Sequence, residues 1–361
     1  MSTHALDHDR DHDRDHGDDR DQGHDRDRDH GDDRDRDHGH DRDLDDLAAL
    51  ARAALVREID RSGAWAADPV WREAFEDVPR HLFVPYYYVG AVDGFERVWG
   101  EDPDPRSRER WVRGAYADAP LATRVRDGEL VSSSSQPSLM AMMLTALEVR
   151  DGDAVLEIGA GTGYNAALLA HRLGDGLVTT IDLDPEITES ARQHLATAGY
   201  FPAVVTGDGA RGVPERAPFD RIIATCTLTS IPRPWLPQCR PGARILAPLA
   251  TGLIALRVRD AGHAEGHFLH TPAYFVPLRG ETRPEPPEPQ RLGGLPRRAR
   301  GDELLRFLLT LTAHSLDPYE AYVLWERENR PVRERYGVTV SGADAWAWLD
   351  DPKGPYAWPL P

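Results

Sequence analysis

The sequence is poor in cysteine and has no long apolar run. Its 361 residues include two cysteines, Cys226 and Cys239, which are too few for a disulfide framework. Cys226 lies in an apolar run with no histidine near it in sequence, so we expect a small core residue rather than a nucleophile. No stretch approaches the ~18 apolar residues of a membrane span, and no N-terminal segment resembles a signal peptide. These absences predict a cytoplasmic protein without a membrane partner.

The beginning of the chain is almost devoid of apolar side chains. From Asp7 to Asp43 it consists almost wholly of Asp, His, Arg and Gly, so residues 1–43 are predicted to be a disordered, low-complexity tail. The first 47 residues hold 19 Asp and 8 Arg, which accounts for −11 of the net charge of −18. The moderately acidic remainder disfavours a nucleic-acid partner. Eight tail histidines could hold a transition metal loosely, but a solvated polyampholyte is the simpler interpretation, and we predict no metal site.

The part of the chain that follows the tail divides into three segments. Residues 44–131 begin with helical apolar spacing over 44–59 and a short helix near 68–75, whereas 86–131 look irregular. Residues 132–262 alternate strand and helix patterns. Residues 263–361 contain a proline-rich linker at 281–296, helices at 302–313 and 318–325, and strands at 338–340 and 345–349. We predict that this last segment is an α+β extension that packs on the core and binds a peptide substrate.

The alternation in residues 132–262 predicts an α/β fold. A helix follows Pro137, and further helices are expected near 164–173 and 185–198. Strand candidates lie at 154–158, 177–182, 203–206, 219–224 and 243–247. Such alternation indicates a doubly wound, mostly parallel sheet covered on both faces. Two later strands, 253–258 and 267–275, are expected to form an antiparallel hairpin that closes the sheet.

A glycine-rich loop follows the first of these strands. Gly159, Gly161 and Gly163 let the chain turn sharply and lie against a ligand, and Glu157 precedes them in the strand. The spacing is one residue short of the dinucleotide-binding fingerprint, and an acid at Glu157 would repel a pyrophosphate. The loop therefore favours a cofactor that has no phosphate and carries a positive charge.

Acids also stand at the ends of the next two strands. Asp182 is placed to accept hydrogen bonds from ribose hydroxyls, and Asp208 is placed to accept one from an adenine amino group. Together with Glu157 they describe S-adenosylmethionine (SAM), although Glu157 alone could be a helix cap or a loop-bracing acid. The predicted cofactor-binding residues are Glu157, Gly159, Ala160, Gly161, Thr162, Gly163, Asp182, Leu183, Asp208 and Gly209.

Several ordered motifs between about residues 70 and 262 carry a family resemblance. Residues 155–170 look like motif I of the Rossmann-like class I SAM-dependent methyltransferases, and the residues after its glycines resemble the protein-L-isoaspartate O-methyltransferases. The other matching segments are 75–85, Ser135-Gln136-Pro137, Gly207-Asp208-Gly209, 217–223, Ile231-Pro232, Gln238 and Pro241-Gly242.

The resemblance implies methyl transfer from SAM to a peptide carboxylate, which is already ionised at neutral pH and needs no general base. The family's serine in Ser-x-Pro hydrogen-bonds that carboxylate, and Ser135 is the matching position. Ser134 could substitute for it as a catalytic residue, and Ser133 and Ser138 are candidate substrate contacts. Alternatively, Ser135 is the N-cap of the helix after Pro137.

The chain departs from compact repair enzymes in several places. It has Ser138 where a His or aromatic residue is usual, an insertion within 86–131, and about 100 additional C-terminal residues. The extension resembles that of homologues encoded with ribosomally synthesised, modified peptides such as graspetides, lanthipeptides, lasso peptides and linear imiditides. Those homologues methylate an aspartate in a precursor peptide, which then loses methanol to form an aspartimide.

This resemblance predicts such an aspartate methyltransferase. It would be a monomer that acts on a precursor peptide, which could be basic or already cyclised. One alternative is isoaspartate repair, and another is an inactive SAM- or peptide-binding module.

Overall fold

The N-terminal helix starts earlier than its apolar pattern. A computed structural model describes residues 32–91, 94–126, 128–280 and 294–361. Helix α1 (Asp32–Ser62) begins inside the predicted disordered tail, whose residues 1–31 lie outside this description. The prediction of disorder therefore needs correction for 32–43, since a helix formed after Leu44 can continue toward its N-terminus without a second nucleation step. Helix α2 (Val70–Asp77) lies close to the short helix predicted near 68–75, and it buries Trp71 and Phe75.

The segment predicted to be irregular forms a small antiparallel sheet. Its strands are β1 (Tyr86–Ala91), β2 (Gly94–Trp99), β3 (Leu121–Arg126) and β4 (Glu129–Ser134), in the order β2-β1-β3-β4, with helix α3 (Pro105–Ala115) between β2 and β3. The prediction was wrong because most side chains of β2 are exposed, so the strand lacks apolar alternation and depends on its pairing with β1. The predicted boundary at residue 132 cuts through β4.

A ten-stranded mixed sheet forms the centre of the protein. Its order is β14-β13-β12-β11-β10-β9-β8-β5-β6-β7, and the chain passes from β7 to β8 on the other side of β5. The strands are β5 (Val155–Ile158), β6 (Val178–Asp182), β7 (Ala203–Thr206), β8 (Phe219–Ala224), β9 (Cys239–Leu249), β10 (Gly252–Asp260), β11 (His263–Pro272), β12 (Tyr336–Ser341), β13 (Asp344–Leu349) and β14 (Ala357–Pro359). The α/β class is confirmed. The pairings from β7 to β9 are parallel, whereas those from β9 to β14 are antiparallel, so the sheet is mixed where the sequence predicted a mostly parallel one.

Helices cover both faces of the sheet. Val155 and Leu156 of β5 point to opposite faces and belong to different hydrophobic clusters. The cluster around Val155 includes side chains of α4 (Pro137–Leu147), α5 (Tyr164–Leu173) and α6 (Pro185–Thr197). The cluster around Leu156 includes α8 (Glu303–Leu311) and α9 (Pro318–Arg327), which follow a short helix α7 (Arg297–Arg300).

The predicted C-terminal extension is part of the same structural unit as the core. Residues 44–361 form one compact unit, and β12 pairs with β11 and so continues the central sheet. The predicted boundary at 262/263 falls in the turn between β10 and β11. These two strands form the expected hairpin, but they lie inside the sheet and do not close it. Residues 281–293 of the predicted linker lie outside the described residues. Within the described ranges, no helix is long and apolar enough to cross a membrane.

Candidate active site

The glycine loop lies at the point where the strand order reverses, between β5 and β8. Gly159, Gly161 and Gly163 all have positive φ angles, of 100°, 52° and 86°. A Cβ on Gly159 would stand 2.7 Å from Thr225 Oγ1, and a Cβ on Gly161 would stand 3.4 Å from the carbonyl oxygen of Ser133. Glycine is therefore favoured at all three positions by the positive φ, and at Gly159 also by the close approach of Thr225. The approach of Gly161 also brings the loop against the serine-rich end of β4.

Glu157 is a buried acid beside this loop, with about 1% of its surface exposed. Its Oε1 accepts a 2.7 Å hydrogen bond from Asn165 Nδ2, whereas Oε2 is buried without a hydrogen-bond partner among the described residues. Burial raises the pKa of Glu157 to about 7, and the neighbouring side chains of Thr180 and Asn165 oppose this rise. The unpaired oxygen is a strong acceptor for a donor that enters the cleft, and a cationic donor would satisfy it best.

Asp182 ends β6 on the opposite side of the loop. Its carboxylate accepts hydrogen bonds from the backbone N–H groups of Gly161 and Asp184, each at 3.3 Å. Arg279 Nη2 lies 3.4 Å from Asp182 Oδ1. Burial raises the pKa of Asp182, although these backbone hydrogen bonds and Arg279 favour the ionised form. Arg279 thus covers the carboxylate that was expected to hold a ribose.

The loop and its neighbours line a narrow, open cleft that leaves about 80 Å³ of space between its walls. Gly163 and Asp208, both predicted cofactor contacts, are not among the residues that line it. Gly163 is the N-cap of α5, and Asp208 accepts a hydrogen bond from Ala210 N at the start of a 3-10 turn. The predicted cofactor residues that line the cleft are Glu157, Gly159, Ala160, Gly161, Thr162, Asp182, Leu183 and Gly209.

The side chains of the four serines at 132–135 alternate between buried and partly exposed positions. Ser132 and Ser134 are buried: Ser132 Oγ accepts a hydrogen bond from Thr123 Oγ1, and Ser134 Oγ accepts one from Arg80 Nη2, both at 3.3 Å. All four serines line the cofactor cleft, but Ser133 and Ser135, which are partly exposed, also line a second, wider groove. This alternation leaves Ser133 and Ser135 better placed than Ser134 to contact a substrate.

The N-terminus of α4 is capped by Asp118, which lies 20 positions from Ser138 in sequence, and not by Ser135. The N-cap residue is Gln136, whose side chain does not bond to the helix backbone. Asp118 Oδ1 instead accepts a 2.8 Å hydrogen bond from Ser138 N, and Asp118 Oδ2 accepts one from Gln136 Nε2. The alternative interpretation of Ser135 as an N-cap is therefore wrong. Ser138 lines only the wider of the two recesses.

Arg80 is a buried cation that holds the serine segment in place. Its guanidinium donates to the carbonyl oxygens of Ala115, Ala117, Ala119 and Ser135 at 2.8–3.3 Å, in addition to Ser134 Oγ. Burial lowers the pKa of Arg80 to about 10, so it remains charged at neutral pH. Its contacts join residues more than 30 positions apart in sequence.

Sequence reasoning assigned no role to Arg80, Asp118, Asn165 or Arg279. Arg80 is a lone charge in the apolar, proline-bracketed segment 78–85, and Asn165 is a polar residue on the otherwise apolar start of α5. Both patterns indicate a buried polar contact without identifying its partner. Cys226 lines the cofactor cleft, but burial raises the pKa of its thiol to about 12, consistent with an unreactive core residue.

The fold and this site define a class I SAM-dependent methyltransferase. The Gly-rich loop at the switch point, the acid at the end of β6 and the unpaired oxygen of buried Glu157 fit a cationic nucleoside cofactor. Residues 105–282 match the family model of protein-L-isoaspartate(D-aspartate) O-methyltransferase. The chain belongs to the protein-L-isoaspartate O-methyltransferase family, and it is a SAM-dependent protein carboxyl O-methyltransferase.

Similarity to known proteins supports this assignment. A protein-L-isoaspartate O-methyltransferase from Hyperthermus butylicus is 35% identical over 246 residues, which cover 64% of this chain and 89% of the relative. One from Methanoculleus marisnigri is 38% identical over 213 residues, which cover 58% and 82% of the two chains. A solved structure of a protein-L-isoaspartate O-methyltransferase has a TM-score of 0.56 at 22% identity and covers 85% of this chain and 98% of its own. The shared fold in that structure extends beyond the part that the sequence relatives cover.

Proposed function

We propose that this enzyme methylates an isoaspartyl carboxylate in a peptide, and that Ser135 holds the acceptor. The observation that carries the proposal is the position of Ser133 and Ser135 where the cofactor cleft meets the wider groove. A substrate bound in that groove can reach these serines while the cofactor occupies the adjoining cleft. The names of the curated relatives support an isoaspartyl acceptor.

The residues of the site act by positioning. SAM supplies the methyl group that is transferred to a carboxylate oxygen. Glu157 and Asp182 would hold the cofactor, Glu157 through its unpaired Oε2 and Asp182 after it exchanges Arg279 for a ribose. The Ser135 hydroxyl would donate a hydrogen bond to the acceptor carboxylate and fix its orientation. No general base is required, because a carboxylate is already ionised at neutral pH.

The direct test compares two synthetic peptides that differ only at the acceptor, isoaspartate in one and aspartate in the other. We expect rapid gain of one methyl group, measured by mass spectrometry, on the isoaspartyl peptide and little on the aspartyl peptide. The absence of methylation on a panel of isoaspartyl peptides would contradict the proposal.

A second candidate is methylation of a normal aspartate in a dedicated precursor peptide. It is favoured by the residues that lie beyond the match to the curated relatives, whose alignments cover 58–68% of this chain. In this reaction the aspartyl carboxylate becomes a methyl ester. The backbone amide nitrogen of the next residue then attacks the ester carbonyl, loses its proton, and expels methanol to leave an aspartimide.

The two candidates give different products. Incubation with a short peptide encoded beside this gene would yield a net loss of one water if an aspartimide forms. An enzyme that methylates only isoaspartate would leave this normal aspartyl peptide unmodified. Activity confined to the dedicated peptide, with generic isoaspartyl peptides unmodified, would favour the second candidate.

A further inference from the structure

A wide groove adjoins the catalytic cleft. We call it the apolar groove and define it by four walls: one face of α4, the segment 269–276, the turn 62–67, and residues of β3 and β4. It holds about 1220 Å³, somewhat above the ~300–1,000 Å³ of ordinary small-molecule sites. Its size suits an extended peptide, and it meets the cofactor cleft at Ser133, Ser135 and Val276.

Large apolar side chains contribute much of the lining of the groove. Leu139, Met142, Leu269 and Phe275 are partly buried at the margin of the hydrophobic core. Two further large apolar side chains lie open to solvent in the groove: Leu130 is 46% exposed and Tyr274 is 65% exposed. Large apolar side chains that converge on one concave surface indicate a binding surface.

The groove offers little charge with which to bind a charged peptide. Among the described residues that line it, Glu148 and His270 are the acidic and basic side chains. The Glu148 carboxylate already forms ion pairs with Arg244 at 3.1 Å and with Arg257 at 3.3 Å. A lysine of a bound peptide would therefore lose hydration without gaining an uncompensated counter-charge.

We infer that this groove selects peptides whose residues on either side of the acceptor are apolar and uncharged. The inference rests on the proposed function, because it assigns the groove to the peptide that presents the carboxylate to Ser135. It also opposes the expectation from net charge. The acidic chain as a whole would attract a basic peptide, but the groove that contacts the flanking residues offers no free counter-charge to bind one.

The test uses two isoaspartyl peptides that are identical except for their flanking residues, leucine in one and lysine in the other. We expect kcat/KM to be about tenfold higher for the leucine-flanked peptide, mainly through a lower KM. Equal values, or a preference for lysine, would overturn the inference while leaving the proposed function intact.

Two variants link that preference to the groove. Tyr274→Ala and Leu130→Lys change exposed side chains, so both proteins should fold. Each should raise KM for the leucine-flanked peptide several-fold and leave the Kd of SAM unchanged. Matched controls are Tyr319→Ala, at a tyrosine of α9 with 61% exposure, and Leu50→Lys, at a leucine of α1 with 69% exposure. Neither control position lines the groove, and neither substitution should alter KM. An equal effect of variants and controls would contradict the assignment.

A binding measurement separates the inference from the proposed function. The anisotropy of a fluorescently labelled leucine-flanked peptide reports binding whether or not methylation follows. Binding that Leu130→Lys weakens, without methylation of any isoaspartyl peptide, would overturn the proposed acceptor and retain the groove as a site for apolar peptides. Methylation without any difference in binding between the two flanking sequences would overturn the inference alone.

Discussion

Arg80 Nη2 lies 3.3 Å from Ser134 Oγ and 3.1 Å from the carbonyl oxygen of Ser135, so a buried guanidinium fixes the direction of the serine segment. The hydroxyl of Ser134 is turned toward Arg80, while Ser133 and Ser135 remain at the junction of the two clefts. The same guanidinium links this segment to the C-terminal end of α3 at Ala115 and to Ala117 just after it. Arg80 is thus a positioning residue for the proposed substrate site.

Replacing Arg80 by methionine should lower the stability of the protein and raise KM for its peptide substrate. The substitution leaves buried carbonyl oxygens without donors, which should reduce the free energy of unfolding by about 3 kcal/mol in urea denaturation. At a temperature where the variant is folded, KM for an isoaspartyl peptide should rise while the Kd of SAM stays the same. Arg80→Lys should recover part of the loss because it restores a charged donor. A variant with normal peptide kinetics would show that Arg80 has no positioning role.

The serines should differ in their contribution to catalysis. Ser135→Ala removes the proposed hydrogen bond to the acceptor carboxylate and should lower kcat/KM roughly 10- to 100-fold, as expected for a bond to a charged group. SAM affinity, measured by calorimetry, should not change. Ser134→Ala is the matched control, because its hydroxyl contacts Arg80, and its effect on kcat/KM should be much smaller. The reverse ranking would assign the acceptor contact to Ser134.

Glu157 should make stability fall as pH rises. Its pKa in the folded protein is about 7, compared with 4.5 for the free side chain, so the folded state retains this proton to a higher pH. The stabilisation is fully present below pH 4.5 and is lost as pH rises through 7, by about 3 kcal/mol in total. Glu157→Gln should remove this contribution and make the variant relatively more stable at pH 8 than at pH 5. Parallel stability curves for the two proteins in urea would contradict the prediction.

The same substitution, which should stabilise the protein at high pH, should weaken its binding of the cofactor. The ionised carboxylate of Glu157 would attract a cationic ligand, so SAM affinity of the unmodified enzyme should increase as pH rises through about 7. Glu157→Gln should bind SAM more weakly and lose much of this pH dependence in calorimetry. Unchanged affinity would mean that Glu157 only braces the loop through Asn165.

The C-terminal helices should contribute to stability more than to catalysis. Phe307 of α8 is fully buried, with its ring centroid 4.9 Å from that of Phe268 and 5.3 Å from that of Tyr336. Phe307→Ala should therefore lower the free energy of unfolding by about 3–5 kcal/mol. The Kd of SAM should be unchanged at a temperature where the variant is folded. A shift in cofactor affinity without a loss of stability would contradict a purely structural role.

Some features of this protein follow from local sequence. The three glycines of the loop 159–163 are each needed for a positive φ, and Asp182 follows directly from a buried strand. The loop, Glu157 and Asp182 could therefore be assigned to one cleft without a structure, whereas Asp208 does not line that cleft. The βα alternation likewise predicts the parallel half of the sheet, because each element depends mainly on its own apolar periodicity.

Tertiary structure decided the rest. Residues 132–135 are four identical serines, and only the pairing of β4 with β3 and the contacts of Arg80 determine which of them also line the wider groove. Strand β2 lacks an apolar pattern, and the apolar groove is assembled from four segments that are distant in sequence. Local periodicity encodes an element and its buried face, whereas the direction of a polar side chain and the shape of a groove depend on contacts between residues far apart in the chain.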